Sequence, residues 1–419
     1  MSKTPGNNKY VKKINRMSVL NIVKEREPVS RQQLSEYTGL TPAAITGIVR
    51  ELLDLGFITE IGLGESHGGR RPLQLKFNCR AGYVIGVEVT RHETSFGIAD
   101  LKNDPMSMQV KAIDMTEPES GLRELVEAIR GIIDDPVNID KTFLSLGIAF
   151  PGLIDGRGGI VKRSVNLSHR WDNFLLKAFL EEKLGLPVCV ENNSKASVLA
   201  ERWFGGGIKY RDLAYINLGE GISAGIIVDD KILNGYQGYT GQIGHIVMQE
   251  GGTLCNCGNR GCLESICGIP ALLRKVKSEM PLIGSDDPLT ICFREKGIIT
   301  IEDIMRAAEV EGSYSQKLLR QFGVYVGLAV ANVVNFYNPQ TVFLGGKLAS
   351  GWTVFIDILQ ETVKSHSFPE LAHDTKIIAG AFGAYSGVIG SCALALQELL
   401  KSPDSDILAT VALSTSKTM

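Results

Sequence analysis

Four residues that can bind a metal ion lie close together between positions 241 and 264, where the chain reads GQIGHIVMQEGGTLCNCGNRGCLE. Three thiolates and one imidazole suit a closed, tetrahedral zinc site, which is a structural rather than a catalytic arrangement. Free core cysteines are the alternative, but Asn and Gly residues between cysteines make a poor core. The sequence therefore predicts a structural Zn²⁺ site made by His245, Cys255, Cys257 and Cys262.

The overall composition is ordinary for a globular protein. At 419 residues the chain is long enough for two or three domains. No apolar run approaches the ~20 residues that cross a bilayer, and the N-terminus lacks the apolar region of a signal peptide. The cysteines outside the metal segment do not have the spacing of a disulfide framework. We therefore expect a cytoplasmic protein without a membrane partner.

The charge is distributed unevenly along the chain. The first 76 residues contain twelve Lys and Arg residues against seven Asp and Glu, although the whole chain has a net charge of −2. A basic N-terminal segment on an acidic remainder suits a domain that faces phosphate groups. The excess is small, so charge alone does not establish nucleic-acid binding.

Three helices are predicted before residue 57, beginning with an amphipathic helix near residues 10–24. The second helix, Arg31–Tyr37, is preceded by a capping box of Ser30 and Gln33. The third helix has Thr41 as its N-cap and Pro42 at its first position, and it ends near residue 55. Two helices joined by a short turn that contains Gly are typical of a helix-turn-helix.

The third helix carries the expected recognition surface. Small outward side chains near its N-terminus let it enter a major groove, and a following arginine can reach a phosphate or a base. Two alternating strands come next, separated by the tip GLGESHGGRRP, as in the wing of a winged helix-turn-helix. A three-helix module that binds protein is the alternative. The predicted DNA-binding residues are Arg31, Thr41, Ala43, Thr46, Gly47, Arg50, Arg70 and Arg71.

After residue 78, strands alternate twice with helices, which predicts an α/β body. Strand-like runs at Tyr83–Val89 and Phe143–Phe150 belong to the first cycle, and a run at Thr341–Leu344 belongs to the second. A helix rich in small residues is expected over Gly380–Leu396. The Ser/Thr-rich tail after it is expected to be poorly ordered at its end.

The motif GQIGH followed by CNCGNRGCLE resembles the signature of the ROK family of repressors, open reading frames and sugar kinases. GIAFPGLID is similar to the Pro-Gly turn of that family, and SHGGRRP is similar to the wing of its repressors. The resemblance implies an α/β fold in which a winged helix-turn-helix precedes a two-lobed, actin-like ATPase fold of the sugar kinase and heat-shock-protein-70 type, with a structural zinc loop. The implied parts are the winged helix-turn-helix at 1–78, lobe 1 at 79–195, lobe 2 with the zinc loop at 196–400, whose final helix returns to lobe 1, and a tail at 401–419.

The resemblance also implies a sugar pocket built from VNLSHRW, VENNSKA and the metal loop. Amides and carboxylates give sugar hydroxyls donors and acceptors in fixed directions. Each asparagine taken singly is better explained as a turn or cap residue, and only their joint match to the family pattern favours a sugar pocket. His245 has two ring nitrogens, so it can hold zinc with one and a sugar hydroxyl with the other. The implied sugar-binding residues are Asn166, Asn192, Asn193, Gln242, His245 and Glu264.

Three departures from the family's kinases argue against phosphoryl transfer. The catalytic aspartate of their Glu-Asn-Asp motif is Asn193 here, and an amide has no useful basicity. Their Asp-x-Gly-Gly-Thr phosphate loop reads EVTRH from position 88, without either glycine, and Glu220 in the second loop would repel a phosphate. Gln242 replaces their usual glutamate, which predicts an altered sugar preference or weaker sugar binding. We therefore do not expect an enzyme.

Together these features predict a sugar-responsive transcriptional regulator, a repressor that binds operator DNA as a homodimer or tetramer. Sugar binding is expected to close the two lobes and thereby weaken DNA binding. Xylose is the first expected effector, with glucose and N-acetylated amino sugars as competitors. An active ATP-dependent sugar kinase with a DNA-binding head, and a repressor released by a partner protein, remain the alternatives.

Overall fold

The computed structural model describes residues 8–63 and 71–401, and its N-terminal part is a small head of three helices and a sheet. The strands of that sheet lie in the order β1-β3-β2 and are antiparallel. The predicted tail after residue 401 lies outside the described residues. The elements of the head are α1 (Asn8–Arg26), β1 (Val29–Ser30), α2 (Arg31–Thr38), α3 (Pro42–Asp54), β2 (Ile58–Leu63) and β3 (Leu73–Phe77).

The local signals of the sequence define the helices of the head. The hydroxyl of Ser30 accepts from the backbone N–H of Gln33, whose side chain accepts from the N–H of Ser30, so the capping box is formed. Helix α2 ends at Gly39, which has a φ of 69°. In α3 the hydroxyl of Thr41 accepts from the N–H of Ala44 and caps the helix. These contacts place α3 on the surface of the head with one apolar face turned inward.

The first lobe of the body contains a five-stranded sheet in the order β10-β7-β4-β5-β6. The pairs β10–β7 and β7–β4 are parallel, whereas β4–β5 and β5–β6 are antiparallel. Strand β6 and the small β8–β9 hairpin were not predicted from the sequence. The elements are β4 (Tyr83–Val89), β5 (Glu93–Asp100), β6 (Pro105–Ala112), α4 (Pro118–Ile133), β7 (Phe143–Phe150), β8 (Leu153–Asp155), β9 (Ile160–Arg163), α5 (Leu176–Leu184) and β10 (Val188–Asn192).

The second lobe repeats this topology with the sheet order β15-β14-β11-β12-β13. Two parallel pairs are again followed by two antiparallel pairs. The lobe begins after α6 (Asn193–Phe204), which leads out of lobe 1. Its elements are β11 (Leu213–Leu218), β12 (Ile222–Val228), β13 (Lys231–Ile232), α7 (Leu263–Cys267), α8 (Ile269–Glu279), α9 (Pro288–Lys296), α10 (Ile301–Ala307), α11 (Tyr314–Tyr337), β14 (Thr341–Gly345), α12 (Trp352–His366), α13 (Pro369–Asp374) and β15 (Lys376–Ala379).

Two helices pack between the two sheets. Helix α6 lies against β11 and β12 of lobe 2, and the final helix α14 (Ser386–Lys401) lies against β4 and β7 of lobe 1 and against α6. The contact is close because it uses glycine: a Cβ at Gly390 would lie 1.9 Å from the carbonyl oxygen of Ala196. The predicted start of the last helix at residue 380 was wrong, because Gly383 has a φ of 53° and the helix begins only at Ser386.

The C-terminal end of α14 joins the body to the head. Leu396, Leu399 and Leu400 belong to the same hydrophobic core as Leu20 and Val23 of α1. The side-chain amide of Asn21 also donates to the carbonyl oxygen of Leu400 over 3.4 Å. The head therefore shares a core with the helix that runs between the lobes.

Helix α11 is the one helix in residues 8–63 and 71–401 that is long and apolar enough to span a membrane, a feature not noticed in the sequence. It packs against α12 in lobe 2, and 61% of its apolar window is buried. Such burial is typical of a core helix.

Candidate functional site

The four predicted metal ligands come together. One ligand atom from each of the residues lies within 4.8 Å of the others. The Sγ of Cys255 is 3.6 Å from Nδ1 of His245, and the Sγ atoms of Cys257 and Cys262 are 3.7 Å apart. A tetrahedral zinc ion with bonds of about 2.3 Å to sulfur gives ligand separations of about 3.7 Å. The donor set and its spacing therefore fit Zn²⁺.

Close backbone contacts shape the metal loop. Gly261 has a φ of 73°, and a Cβ there would lie 1.6 Å from the carbonyl oxygen of Gln249. The N–H of Cys255 donates to the carbonyl of Asn259 over 2.8 Å, which closes a tight turn around the thiols. Burial raises the pKa of Cys262 to about 12. A cation is therefore required to hold this thiol as a thiolate at neutral pH.

Two of the predicted sugar-binding side chains touch each other beside the metal loop. The amide of Asn166 donates to Oε1 of Glu264 over 3.1 Å, and Oε2 of Glu264 accepts from the N–H of Ile222 over 2.9 Å. Asn256, which lies between two of the cysteines, donates to Oδ1 of Asn166 over 3.1 Å. The metal loop therefore positions the Asn166–Glu264 pair directly.

Asn192 and Asn193 lie at the start of α6 and do different things. The side chain of Asn192 caps α6 through the N–H of Ser194 and donates to the carbonyl of Gly152 over 2.9 Å, so its amide is engaged within the protein. The amide of Asn193 donates to the carbonyl of Val89 over 3.0 Å. Its buried Oδ1 has no hydrogen-bond partner among the described residues. Only Asn193 therefore offers a free acceptor to a ligand.

Gln242 and His245 flank a short turn that rests on β12. A Cβ at Gly241 would lie 1.8 Å from the carbonyl oxygen of Ala224, so only glycine permits this approach. Both Gln242 and His245 are half-buried, and no side-chain hydrogen bond of Gln242 occurs within the described chain. Nδ1 of His245 faces the thiols. This orientation leaves Nε2 as the nitrogen for a second contact.

The start of α14 already holds a side chain, which is the carboxyl group of Glu88. Glu88 lies near the end of β4 and accepts from the backbone N–H groups of Gly387 and Val388. A Cβ at Gly387 would lie 2.1 Å from the carboxyl carbon of Glu88. Burial raises the pKa of Glu88 to about 7. The N-terminus of a helix is a natural seat for a phosphate, and a side chain of the protein occupies this one.

The second loop adds negative charge at the same cleft. Glu220 is half-buried between β11 and β12. The pKa of Lys347 is raised mainly by its hydrogen bond to Glu302 and further by the charges of Glu93 and Glu220. Lys347 directly follows the Gly345-Gly346 turn, and its ammonium pairs with Glu302 over 2.6 Å. The one lysine beside this turn is therefore already neutralised.

The predicted DNA-binding residues occupy the exposed side of the head. In α3 the side chains of Ala43, Thr46 and Arg50 are exposed, and the surroundings of Gly47 are open. Thr41 caps this helix and is also exposed. Arg71 is also exposed, beside β3. Arg31 differs, because it is half-buried and forms an ion pair with Glu60 of β2 over 2.9 Å. Arg70 lies outside the described residues.

The sequence model of the ROK family matches residues 84–398, which is most of the chain. This chain belongs to the ROK family. A relative named xylose repressor, from Caldicellulosiruptor bescii, is 30% identical over 400 residues, which cover 95% of this chain and 99% of the relative. NagC of Escherichia coli K12, named a DNA-binding transcriptional dual regulator, is 26% identical over 94% of this chain and 95% of its own length.

Solved structures of ROK proteins include both transcriptional regulators and sugar kinases. The crystal structure of a ROK family transcriptional regulator, described as a homologue of the E. coli MLC protein, has a TM-score of 0.81 and 27% identity over 96% of this chain and all of its own. A ROK family glucokinase from Streptomyces griseus, solved with glucose and AMPPNP, has a TM-score of 0.67 and 25% identity, and it covers 75% of this chain. The predicted family and fold class are thus confirmed.

Two polar residues beside the candidate site were not singled out in the sequence. Asn256 is adjacent to two predicted ligands in CNC, and its position between them was the available signal. Lys195 is fully buried, and its ammonium lies 3.4 Å from Oε1 of Glu191 and donates to Oδ1 of Asn234 over 3.0 Å. Glu191 lies on β10 and Lys195 on α6, so no helical spacing predicted this pair. Through Asn234, Lys195 connects α6 to the loop after β13.

Proposed function

We propose that this ROK protein is a sugar-responsive transcriptional regulator that represses genes of carbohydrate metabolism. Full-length similarity to proteins named xylose repressor and to NagC supports the proposal. The observation that carries the proposal is the course of α14. This helix begins beside Glu88 in the cleft and ends in the core shared with the head. One rigid element thus connects a ligand cleft to a DNA-binding surface.

The effector is a sugar that binds beside the metal loop. The Asn166–Glu264 pair, the free Oδ1 of Asn193 and the polar side chains of Gln242 and His245 supply the hydrogen-bonding groups that hydroxyls need. Xylose is the first candidate, because relatives named xylose repressor match this chain over nearly its full length. Glucose and N-acetylated amino sugars are the competitors.

The cleft binds the sugar without phosphorylating it. An amide at position 193 cannot take a proton from a sugar hydroxyl near neutral pH. Glu88 occupies the helix N-terminus that would otherwise attract a phosphate group, and Glu220 adds a second negative charge. These features support a protein that senses its ligand and is not an enzyme.

Sugar binding reaches the head through two packed helices. Asn193 stands at the start of α6, and α6 is in backbone contact with α14 at Ala196 and Gly390. Closure of the lobes around a sugar shifts these helices together, because helices in close backbone contact cannot slide independently. The shift changes the position of the head and lowers its affinity for operator DNA.

Three further features belong to the same proposal. Zn²⁺ at His245 and the three cysteines holds the loop that presents Asn256 and Glu264. A homodimer, or a tetramer built from it, presents two heads to a two-fold symmetric operator in the cytoplasm. The binding residues of the head are those on the exposed face of α3 together with the arginines of the wing.

The test measures operator binding by fluorescence anisotropy, with labelled DNA from upstream of the protein's own coding region. Arg50→Ala should weaken binding by about tenfold or more, because one good arginine contact contributes about 1–3 kcal/mol. The matched control Arg123→Ala removes an equally exposed arginine on α4 and should leave DNA binding unchanged. Xylose, glucose and N-acetylglucosamine are then titrated, and one of them should release the DNA.

Two results would contradict the proposal. If Arg50→Ala and Arg123→Ala bind the operator equally well, the exposed face of α3 is not the DNA-binding surface. If no sugar changes operator binding although calorimetry detects sugar binding, the cleft does not control the head. Turnover of ATP with any sugar would instead favour a kinase that carries a DNA-binding head.

A further inference from the structure

A cavity of about 280 Å³ lies where the head meets both lobes of the body. Its walls come from α1 of the head, from the turn after β5, from the end of α6 and from α14. It lies far from the sugar cleft, because α6 begins in the cleft and runs for about 14 Å before it reaches the cavity. The residues that matter here are Lys24, Asn103, Arg202, Trp203, Phe204 and Leu396.

Asn103 gives the cavity a hydrogen-bond acceptor that is not used within the described chain. Only 3% of Asn103 is exposed, and its Oδ1 has no partner among the described residues. Its backbone is fixed in a left-handed conformation with a φ of 61°, and its N–H donates to the carbonyl of Asp100 over 2.9 Å. A buried polar atom without a partner is costly, so this atom indicates a ligand that donates a hydrogen bond.

Lys24 gives the cavity a positive charge. It is half-buried, and no hydrogen bond or ion pair is formed by its ammonium within residues 8–63 and 71–401. Burial lowers its pKa, although the nearby charges of Asp100 and Glu25 partly oppose that effect. Asp100 is itself engaged, because its Oδ1 accepts from the N–H groups of Lys102 and Asp104. A bound anion would relieve the buried charge of Lys24.

The other two cations of the cavity are already paired. Lys102 pairs with Glu27, and Arg202 pairs with Asp230 over 2.6 Å. Lys24 is thus the cation left for a ligand in the described part of the cavity wall. One cation and one acceptor suit a ligand with a single anionic group and at least one hydroxyl.

The remaining wall is apolar. The rings of Trp203 and Phe204 are in edge contact with their centroids 6.0 Å apart, and Leu396 of α14 completes the surface. Aromatic faces of this kind pack against the C–H groups of a short carbon skeleton. The volume of about 280 Å³ lies just below the roughly 300–1,000 Å³ of typical small-molecule sites, which favours a compact ligand.

We propose that this cavity binds a small hydroxylated organic anion, a phosphorylated polyol or a hydroxy acid, with its anionic group at Lys24 and a hydroxyl at Asn103. The ligand touches the head and the end of α14 at once, so its binding alters operator affinity. That second statement depends on the proposed function, whereas binding to the cavity does not.

The test uses calorimetry on the full-length protein with glycerol 3-phosphate, glycerate and inorganic phosphate. Glycerol 3-phosphate and glycerate distinguish a phosphorylated from a carboxylated ligand, and one of them should bind. Lys24→Met and Asn103→Gly should each weaken that binding by about tenfold. Met fills the space of the lysine stem, and Gly accepts the left-handed backbone, so both variants should fold. Lys364→Met, on the exposed surface of α12, is the matched control.

Each other outcome overturns part of this site. Binding of neither organic anion, or binding unaffected by both variants, removes the proposal. Equal affinity for inorganic phosphate shows that charge alone is recognised and contradicts the hydroxyl contact with Asn103. Asn166→Ala separates the two sites, because it should weaken sugar binding and leave anion binding intact. Loss of anion binding in Asn166→Ala would place the anion in the sugar cleft instead. Release of operator DNA by sugar is measured separately, so failure of the anion site and failure of the proposed function can be told apart.

Discussion

Glu88 is the residue that most changes the chemistry of the cleft. Its carboxylate accepts two backbone N–H groups at the start of α14, where the helix dipole favours negative charge. A phosphate group approaching this point would have to displace a carboxyl group that is covalently part of the protein. The same two hydrogen bonds stabilise the start of the helix that leads to the head.

The raised pKa of Glu88 makes a pH-dependent prediction. Burial raises the pKa from 4.5 to about 7, so the folded protein binds this proton more tightly than the unfolded chain. The stability that protonated Glu88 contributes to the folded protein is fully present below about pH 4.5 and is lost as the pH rises through about 7. Glu88→Gln, which keeps an acceptor for both N–H groups, should gain about 1–3 kcal/mol relative to wild type between pH 5 and pH 8.

Urea unfolding of both proteins at several pH values measures this difference. The neighbouring phenol of Tyr215 does not contribute, because burial raises its pKa further above this range. Parallel stability curves for wild type and Glu88→Gln would show that folding does not raise the pKa of Glu88.

The metal ligands give a second prediction at the residue scale. Cys257→Ser should lose the bound zinc and lower the thermal midpoint by about 5–10 °C, because zinc binding contributes to the folding free energy. Sugar affinity should fall as well, since Asn256 and Glu264 are held by the same loop. Zinc is measured by atomic emission and stability by calorimetry.

Cys292→Ser is the matched control for this substitution. Cys292 lies on α9, outside the four-residue cluster, so the same change there should keep both zinc and sugar affinity. An unchanged thermal midpoint in a zinc-free Cys257→Ser protein would mean that the ion has no structural role.

Single residues could be predicted where the signal was local in sequence. Three cysteines within eight positions predicted the cluster that the structure brings together. The Asn256–Asn166 contact joins residues 90 positions apart, and no local pattern indicates it. The engaged amide of Asn192 was also beyond sequence reasoning, because the same asparagine type serves caps and ligand sites.

At the scale of elements, helix α14 connects the cleft to the head. Its first residues hold Glu88, its middle touches α6 at Gly390, and its end lies in the core of the head. Coupling between two sites requires such an element, whose position both ligands change. The packing of α14 on α1 should therefore set how strongly a sugar weakens DNA binding.

Leu399→Ala tests this role of α14. Leu399 is buried in the core shared with the head, and its truncation leaves the cleft untouched. Sugar affinity should stay within about twofold of wild type, while the ratio of operator Kd values with and without sugar should fall by about fivefold or more. Calorimetry measures the first quantity and fluorescence anisotropy the second.

Leu359→Ala is the control, because it truncates an equally buried leucine in the separate core of lobe 2. Both substitutions cost stability, about 2–5 kcal/mol each, so stability loss alone cannot explain a difference between them. If the two variants keep the same ratio of operator Kd values, α14 does not transmit the signal.

The buried central strands of lobe 1 were predicted from the sequence, and its edge strand was not. Strands β4 and β7 were predicted with their observed bounds because they are almost wholly buried and mostly apolar. Strand β6 was missed although Met106, Met108 and Val110 alternate with polar residues, and it is an edge strand with mostly exposed side chains. Helix α14 was started too early because its small residues continue into the preceding turn, whose left-handed Gly383 is visible only in three dimensions.

The whole molecule is a small head attached to a two-lobed body. The two lobes share one strand topology, and α6 and α14 cross between them. The family motifs in the sequence predicted this arrangement, but not the cavity at the junction of the three parts. That cavity depends on side chains from α1, the turn after β5, α6 and α14, which only the complete fold brings together.

The central claim at this scale is that the protein responds to a sugar without changing it. The direct test incubates the protein, its operator DNA and Mg-ATP with the sugar that lowers operator affinity, and then analyses that sugar by mass spectrometry. We expect the sugar to release the DNA and to be recovered unphosphorylated. Recovery of the sugar as its phosphate, in molar excess over the protein, would contradict a protein that only senses the sugar.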